Sequence, residues 1–121
     1  MNKDQLKKRT KEFSYRVVSL VRAMPRSTEA YVVGKQVLRS ATSVAANYRA
    51  TCRARSSADF VAKLGVVLEE IDETVYWLEL ISDTKILPVS RLQPLQKEAN
   101  ELLAIFNRSY LTARGITAKT I

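Results

Sequence analysis

Residues 56–84 read SSADFVAKLGVVLEEIDETVYWLELISDT, and within them Phe60, Leu64, Val67, Ile71, Thr74, Leu78 and Ile81 recur every three or four positions. At about 100° per residue these side chains form a single stripe, the signature of an amphipathic α-helix. Ser56-x-x-Asp59 has the spacing of a capping box ahead of the stripe, and Ser82-Asp83-Thr84 follows it. The spacing predicts a helix over 57–83. A helix with one apolar stripe must bury it against other elements.

The rest of the chain offers helices as partners. Leu6, Phe13, Val17, Leu20 and Met24 keep helical spacing before Pro25. Gly34, Leu38, Ala41, Ala45, Tyr48 and Cys52 do so before Arg55-Ser56-Ser57, and Leu92, Leu95, Ala99, Leu102 and Phe106 follow Pro88. Helices are therefore expected over 3–23, 28–54, 57–83 and 91–113, with a polar tail over 115–121. Thr28-Glu29 and Ser90-x-x-Gln93 read as helix starts, Pro94 belongs in a first turn, and Arg114-Gly115 is a stop. No alternating stretch competes as a strand. Short connections between long helices force antiparallel neighbours, so residues 1–121 are expected to form one all-α domain, an antiparallel up-down-up-down four-helix bundle.

Composition excludes several chemistries. The 121 residues contain no histidine and one cysteine, so a Ser-His-Asp triad, a histidine zinc site and an internal disulfide are all ruled out. Glu69, Glu70, Asp72 and Glu73 resemble a carboxylate cluster, but di-iron bundles need Glu-x-x-His, and a solvated or ion-paired face fits better. No catalytic residue, metal, cofactor or small-molecule substrate is expected. The charged N-terminus is unlike a signal peptide and no apolar run is long enough to span a bilayer, which points to the cytoplasm and away from membranes. Cys52 reads as a small buried hydrophobe.

With 20 Lys and Arg against 12 Asp and Glu, the net charge is +8, and it is segregated. Residues 57–84 are acidic and the other three segments basic. Part of the contrast can be consumed by pairing between helices. On the second helix Lys35, Arg39, Arg49 and Arg53 fall on one stripe, which suits a phosphate backbone and equally suits a solvated face. With Lys7, Lys8, Lys11 and Arg55, the residues Lys35, Arg49 and Arg53 are the candidates for nucleic-acid binding. No aromatic residues interleave with these arginines, so recognition of backbone and shape is expected rather than base readout.

A second group of residues points to self-association. Val66, Tyr76, Trp77 and Leu80 flank the buried stripe of the third helix beside Glu69 and Glu73, where a lone bundle leaves them wet. Packing of Trp77 under a loop or helix of its own chain is the competing explanation. The second helix adds small residues, including Ser40 and Ser43. Asn47 and Ser40, poor helix formers in a helix interior, are expected to hydrogen-bond across an interface. These faces predict a homo-oligomer.

The segments Gln36-Val37-Leu38-Arg39-Ser40-Ala41-Thr42-Ser43-Val44-Ala45-Ala46-Asn47-Tyr48, Ala54-x-Ser56-x-x-Asp59-Phe60-x-x-Lys63-Leu64 and Glu69-x-x-Asp72-Glu73-Thr74-x-Tyr76-Trp77-Leu78-Glu79-Leu80 resemble the bacterial four-helix-bundle proteins of the 23S rRNA intervening-sequence family. Arg49, Arg53 and Arg55 make this chain more basic there than the family pattern. The resemblance implies a small cytosolic bundle assembled into a ring-like homopentamer. More distantly similar proteins are accessory subunits of diversity-generating retroelements, where a basic pentamer contacts a reverse transcriptase and RNA. Arg39, Ser40, Ser43, Asn47, Val66, Glu69, Glu73, Tyr76, Trp77 and Leu80 are accordingly the candidates for assembly, with Arg39 complementary in charge to Glu69 and Glu73. The expected function is non-enzymatic binding of structured RNA, or of a nucleic-acid enzyme with its RNA, and the alternative is a protein-interaction scaffold with no direct nucleic-acid role.

Overall fold

A computed structural model describes residues 1–115, so the tail expected over 115–121 lies, from residue 116 onward, outside the described residues. Four helices follow one another: α1 (Lys3–Arg22), α2 (Thr28–Thr51), α3 (Ser57–Asp83) and α4 (Val89–Ala113). Among the described residues there is no strand.

Side-chain caps fix three of the starts. Asn2 accepts from the Gln5 N–H at 2.8 Å while the Gln5 side chain accepts from the Asn2 N–H at 3.0 Å, a full capping box. Ser27, not Thr28, caps α2 by accepting from the Ala30 N–H. Ser56 accepts from the Asp59 N–H, but the Asp59 carboxylate reaches past Ser56 to the Arg55 N–H and to Lys63.

The fourth start departs from expectation. Pro88, with φ −59°, stands at the cap position without a side-chain hydrogen bond, and the helix begins at Val89 rather than 91. Ser90 is therefore inside the first turn and caps nothing, and Pro94 falls within the helix instead of at its opening. Pro94 leaves the Ser90 carbonyl without its helical donor. At the other ends, α2 stops at Thr51 with Cys52 as its cap residue, short of the expected 54. Gly115, at φ +77°, follows the α4 cap as anticipated. Lys85 adopts φ +58° after α3, where the Lys85 N–H bonds the Ser82 carbonyl and the Ile86 N–H bonds the Ile81 carbonyl. This is a Schellman stop built on a lysine.

Contacts between helices set an antiparallel register all round the bundle. Ser14 Oγ donates to the Ala41 carbonyl, Thr74 Oγ1 donates to Ser40 Oγ at 2.9 Å, and Tyr110 lies against Gly65 so closely that a Cβ there would sit 3.3 Å from its ring. α1 meets α4 most lightly, and there Arg9 grips Glu98 with two hydrogen bonds of 2.7 Å and adds Glu101 at 3.1 Å.

The core runs the length of the bundle. Phe13, Val17, Leu20, Leu64, Ile71, Leu78, Leu92, Leu102 and Phe106 are sealed within it, and Tyr48 tilts against Phe106 with ring centroids 5.3 Å apart. On α3 the predicted stripe is buried except for Phe60, which is half-buried. The buried face of α2 is rotated from expectation: Val33, Val37, Ser40, Ala41, Val44, Tyr48 and Thr51 face inward, while Leu38, Ala45 and Cys52 lie at the margin. Two neighbours, α1 and α3, share that face, so it is wider than a single seam.

Candidate nucleic-acid interface

Helical geometry puts Lys35, Arg39 and Arg49 on the outer face of α2, and Arg53 and Arg55 in the turn beyond it. Arg39 is not free. Its guanidinium crosses to α3, where it bonds Glu73 and lies 3.2 Å from Glu70. The Arg39 hydrogen bond, helped by one from Trp77, holds the Glu73 carboxyl below its ordinary range. The basic row is thus interrupted. Lys35 stands at one end, roughly 21 Å along the helix from Arg49 at 1.5 Å per residue.

The other end gathers cations from several elements. With Ser14 opposite Ala41, antiparallel packing brings Lys11 and Lys7 level with the part of α2 that carries Tyr48 and Arg49. Lys7 is 3.4 Å from Asp4 in an exposed pair of little energetic consequence. Lys8, Lys11, Arg49, Arg53 and Arg55 are exposed and form no side-chain ion pair among the described residues. Beside them Lys3 lies over the Phe60 ring at 5.7 Å, on a cleft of about 450 Å³ that also includes Arg55, Ser56 and the half-buried Cys52. Cys52 is therefore a helix-end residue, not a core one. Meanwhile Asp59, Glu70 and Glu73 of α3 are taken up by Lys63 and Arg39. Exposed cations carried on α1, α2 and the α2–α3 turn towards one end of the bundle can hold a polyphosphate backbone without reading bases.

Residues 2–108 match the family model of the 23S rRNA-intervening sequence protein. The chain belongs to that family. It is also similar, at 34% identity and a TM-score of 0.80, to a crystal structure of a protein with unknown function from the S23 ribosomal protein family of Bacteroides thetaiotaomicron. That likeness covers 86% of this chain and 96% of the other. Among curated proteins there is no match.

In this family member the residues singled out for assembly do not form one surface. Ser40 is 0% exposed and bonded to Thr74 inside the chain, so it cannot line a surface between copies. Asn47, half-buried, donates from Nδ2 to the Ser43 carbonyl of its own helix. Arg39 pairs with Glu70 and Glu73, whereas Glu69 lines a shallow groove with Leu103 and Asn107 on the α4 side. The remainder stay on the outer side of α3: Val66 and Tyr76 are exposed, Leu80 is half-buried, and Trp77 packs on the core margin, donating to Glu73 at 3.2 Å and meeting Tyr76 edge-on.

Two residues on the basic side escaped the sequence reading. Tyr15 is 57% and Tyr31 67% exposed, and the Lys35 ammonium lies 5.4 Å from the Tyr31 ring centroid. Tyr31 thus accompanies Lys35 of the basic row, while among the described residues no aromatic ring stacks with Arg49, Arg53 or Arg55. The i,i+4 spacing of Tyr31 and Lys35, and of Lys11 and Tyr15, was the available signal.

Proposed function

We propose that the chain is a non-enzymatic, cytoplasmic, oligomeric bundle that binds structured RNA, alone or together with a nucleic-acid enzyme that carries it, through the cations of α1 and the α2–α3 turn. One observation carries this: Lys8, Lys11, Arg49, Arg53 and Arg55 are exposed towards one end of the bundle and form no side-chain ion pair among the described residues, while Asp59, Glu70 and Glu73 of α3 are already engaged. Phosphate contacts of this kind give affinity that falls steeply with salt, about one logarithmic unit per logarithmic unit of salt for each phosphate neutralised. A labelled RNA hairpin is expected to be retained at low salt and released as salt rises. Changing Arg49, Arg53 and Arg55 together to Ala should remove most of that retention and flatten the salt slope. Absence of retention at low salt overturns the proposal.

Assembly into a ring-like homopentamer is the second part of the reading, supported by Val66, Tyr76 and the margin-packed Trp77 on the outside of α3. Those same side chains favour the alternative of a protein-interaction scaffold. The arginine variant separates the two, because a scaffold would keep its partners when Arg49, Arg53 and Arg55 are removed.

A further inference from the structure

Where α1 turns into α2, an apolar groove of about 390 Å³ opens on the outer side of the two helices. Half-buried Val21, Met24 and Leu38 form its floor, and exposed Tyr31, Arg26 and Lys35 its rim. Gly34 is what lets the floor form: a Cβ there would meet Met24 Sδ at 3.1 Å and Val21 Cγ1 at 3.5 Å. Its volume falls in the range of small-molecule sites, and its lining carries two cations and no carboxylate. An apolar slot with an aromatic wall and cations at its mouth is complementary to a flat ring that bears a phosphate.

We propose that this groove takes one unpaired nucleobase of a bound RNA, stacked on Tyr31 with its phosphate held by Lys35 and Arg26. The proposal rests on the RNA-binding reading above and extends it to the opposite end of α2, roughly 21 Å along the helix from Arg49, so that one RNA would span both ends; a base-accepting slot there selects RNA with single-stranded nucleotides over perfect duplex. A purine or pyrimidine has the π-face that Tyr31 can stack, and such stacking tolerates any base. A wholly apolar peptide segment would leave Arg26 and Lys35 without partners.

The test uses the full chain with two labelled probes, an RNA hairpin carrying 2-aminopurine in its loop and a blunt duplex of the same stem. Loop fluorescence is expected to be quenched on saturation, and Tyr31→Ala should weaken hairpin binding roughly tenfold while leaving duplex binding unchanged. Tyr31→Phe, which keeps the ring, should restore both quenching and affinity. Circular dichroism of the variants should show unchanged helicity, as expected for a side chain two-thirds exposed. Equal hairpin binding by wild type and Tyr31→Ala, or an unquenched loop at saturation, overturns the base slot while the duplex signal still upholds RNA binding. Retention of neither probe overturns both readings. A change in oligomeric mass in Tyr31→Ala, without change in RNA affinity, assigns the groove to a second copy and also overturns the proposal.

Discussion

Arg9 is the side chain that closes the bundle where its packing is thinnest. Its fork meets Glu98 at two points, with the two side chains only 22% and 17% exposed, so removing it leaves a half-buried carboxylate without a partner. Arg9→Ala is expected to lower stability by about 2 kcal/mol in urea unfolding, and Arg9→Lys, lacking the planar fork, to recover only part of that. The Arg9 hydrogen bond holds the Glu98 carboxyl below its ordinary range, so its stabilisation is present above the unfolded carboxyl value of about 4.3 and fades as pH falls through the lower folded value. The gap between wild type and Arg9→Ala should therefore narrow in acid. The Ser40–Thr74 pair is a second residue-scale case. Thr74→Val leaves Ser40 short of a buried partner and should cost about 1 kcal/mol, whereas Ser40→Ala with Thr74→Val should cost less than the two single changes added together. A double-mutant cycle reads that coupling directly.

At the scale of the element, the helices are better specified inside than at their ends. The stripe of α3 was legible because its buried positions, Leu64 to Ile81, repeat at helical spacing over about five turns, and its boundaries, 57–83, agree with Ser57–Asp83. The start of α4 was not legible, because Ser90 offers a plausible cap that the backbone bypasses in favour of Pro88, and α2 ends at Thr51 with no glycine or proline to mark the stop. Two backbone compromises lie at or near these boundaries. Lys85 occupies the left-handed region with a side chain that disfavours it, so Lys85→Gly should raise stability by up to about 1 kcal/mol, less whatever its charge contributes at the end of α3. Pro94→Ala restores a donor for the Ser90 carbonyl and should raise stability by about 1 kcal/mol or more. Thermal unfolding of each variant reports the sign.

For the whole molecule, the arrangement of charge matters more than its total. The net +8 is divided by Arg39, which ties the middle of the basic row to α3 and leaves cations at the two ends of α2. The proposed assembly places Trp77 at a contact between copies, so Trp77→Ala should weaken association by on the order of 2 kcal/mol per interface, read as a fall in mass by light scattering on dilution. Since Trp77 also donates to Glu73 and packs on its own core margin, Tyr76→Ala is the cleaner companion: the exposed ring should change the mass with little change in unfolding midpoint.

By itself the sequence determined the helical class, the order of four antiparallel helices and most of the core, because helical periodicity and short connections depend on local spacing. Resemblance in the segments around Ser40 and Trp77 pointed to the family. Only the tertiary structure decided which polar groups are consumed within the chain. Ser40, Asn47 and Arg39 look available on a helical wheel, yet the first is sealed against Thr74, the second bonds its own helix and the third is held by Glu70 and Glu73. The slot beside Tyr31 was equally hidden, since it exists only where Gly34 lets α1 approach α2. Periodicity says which face of a helix turns inward, but partners across helices depend on register and rotation, which are set when the whole core packs.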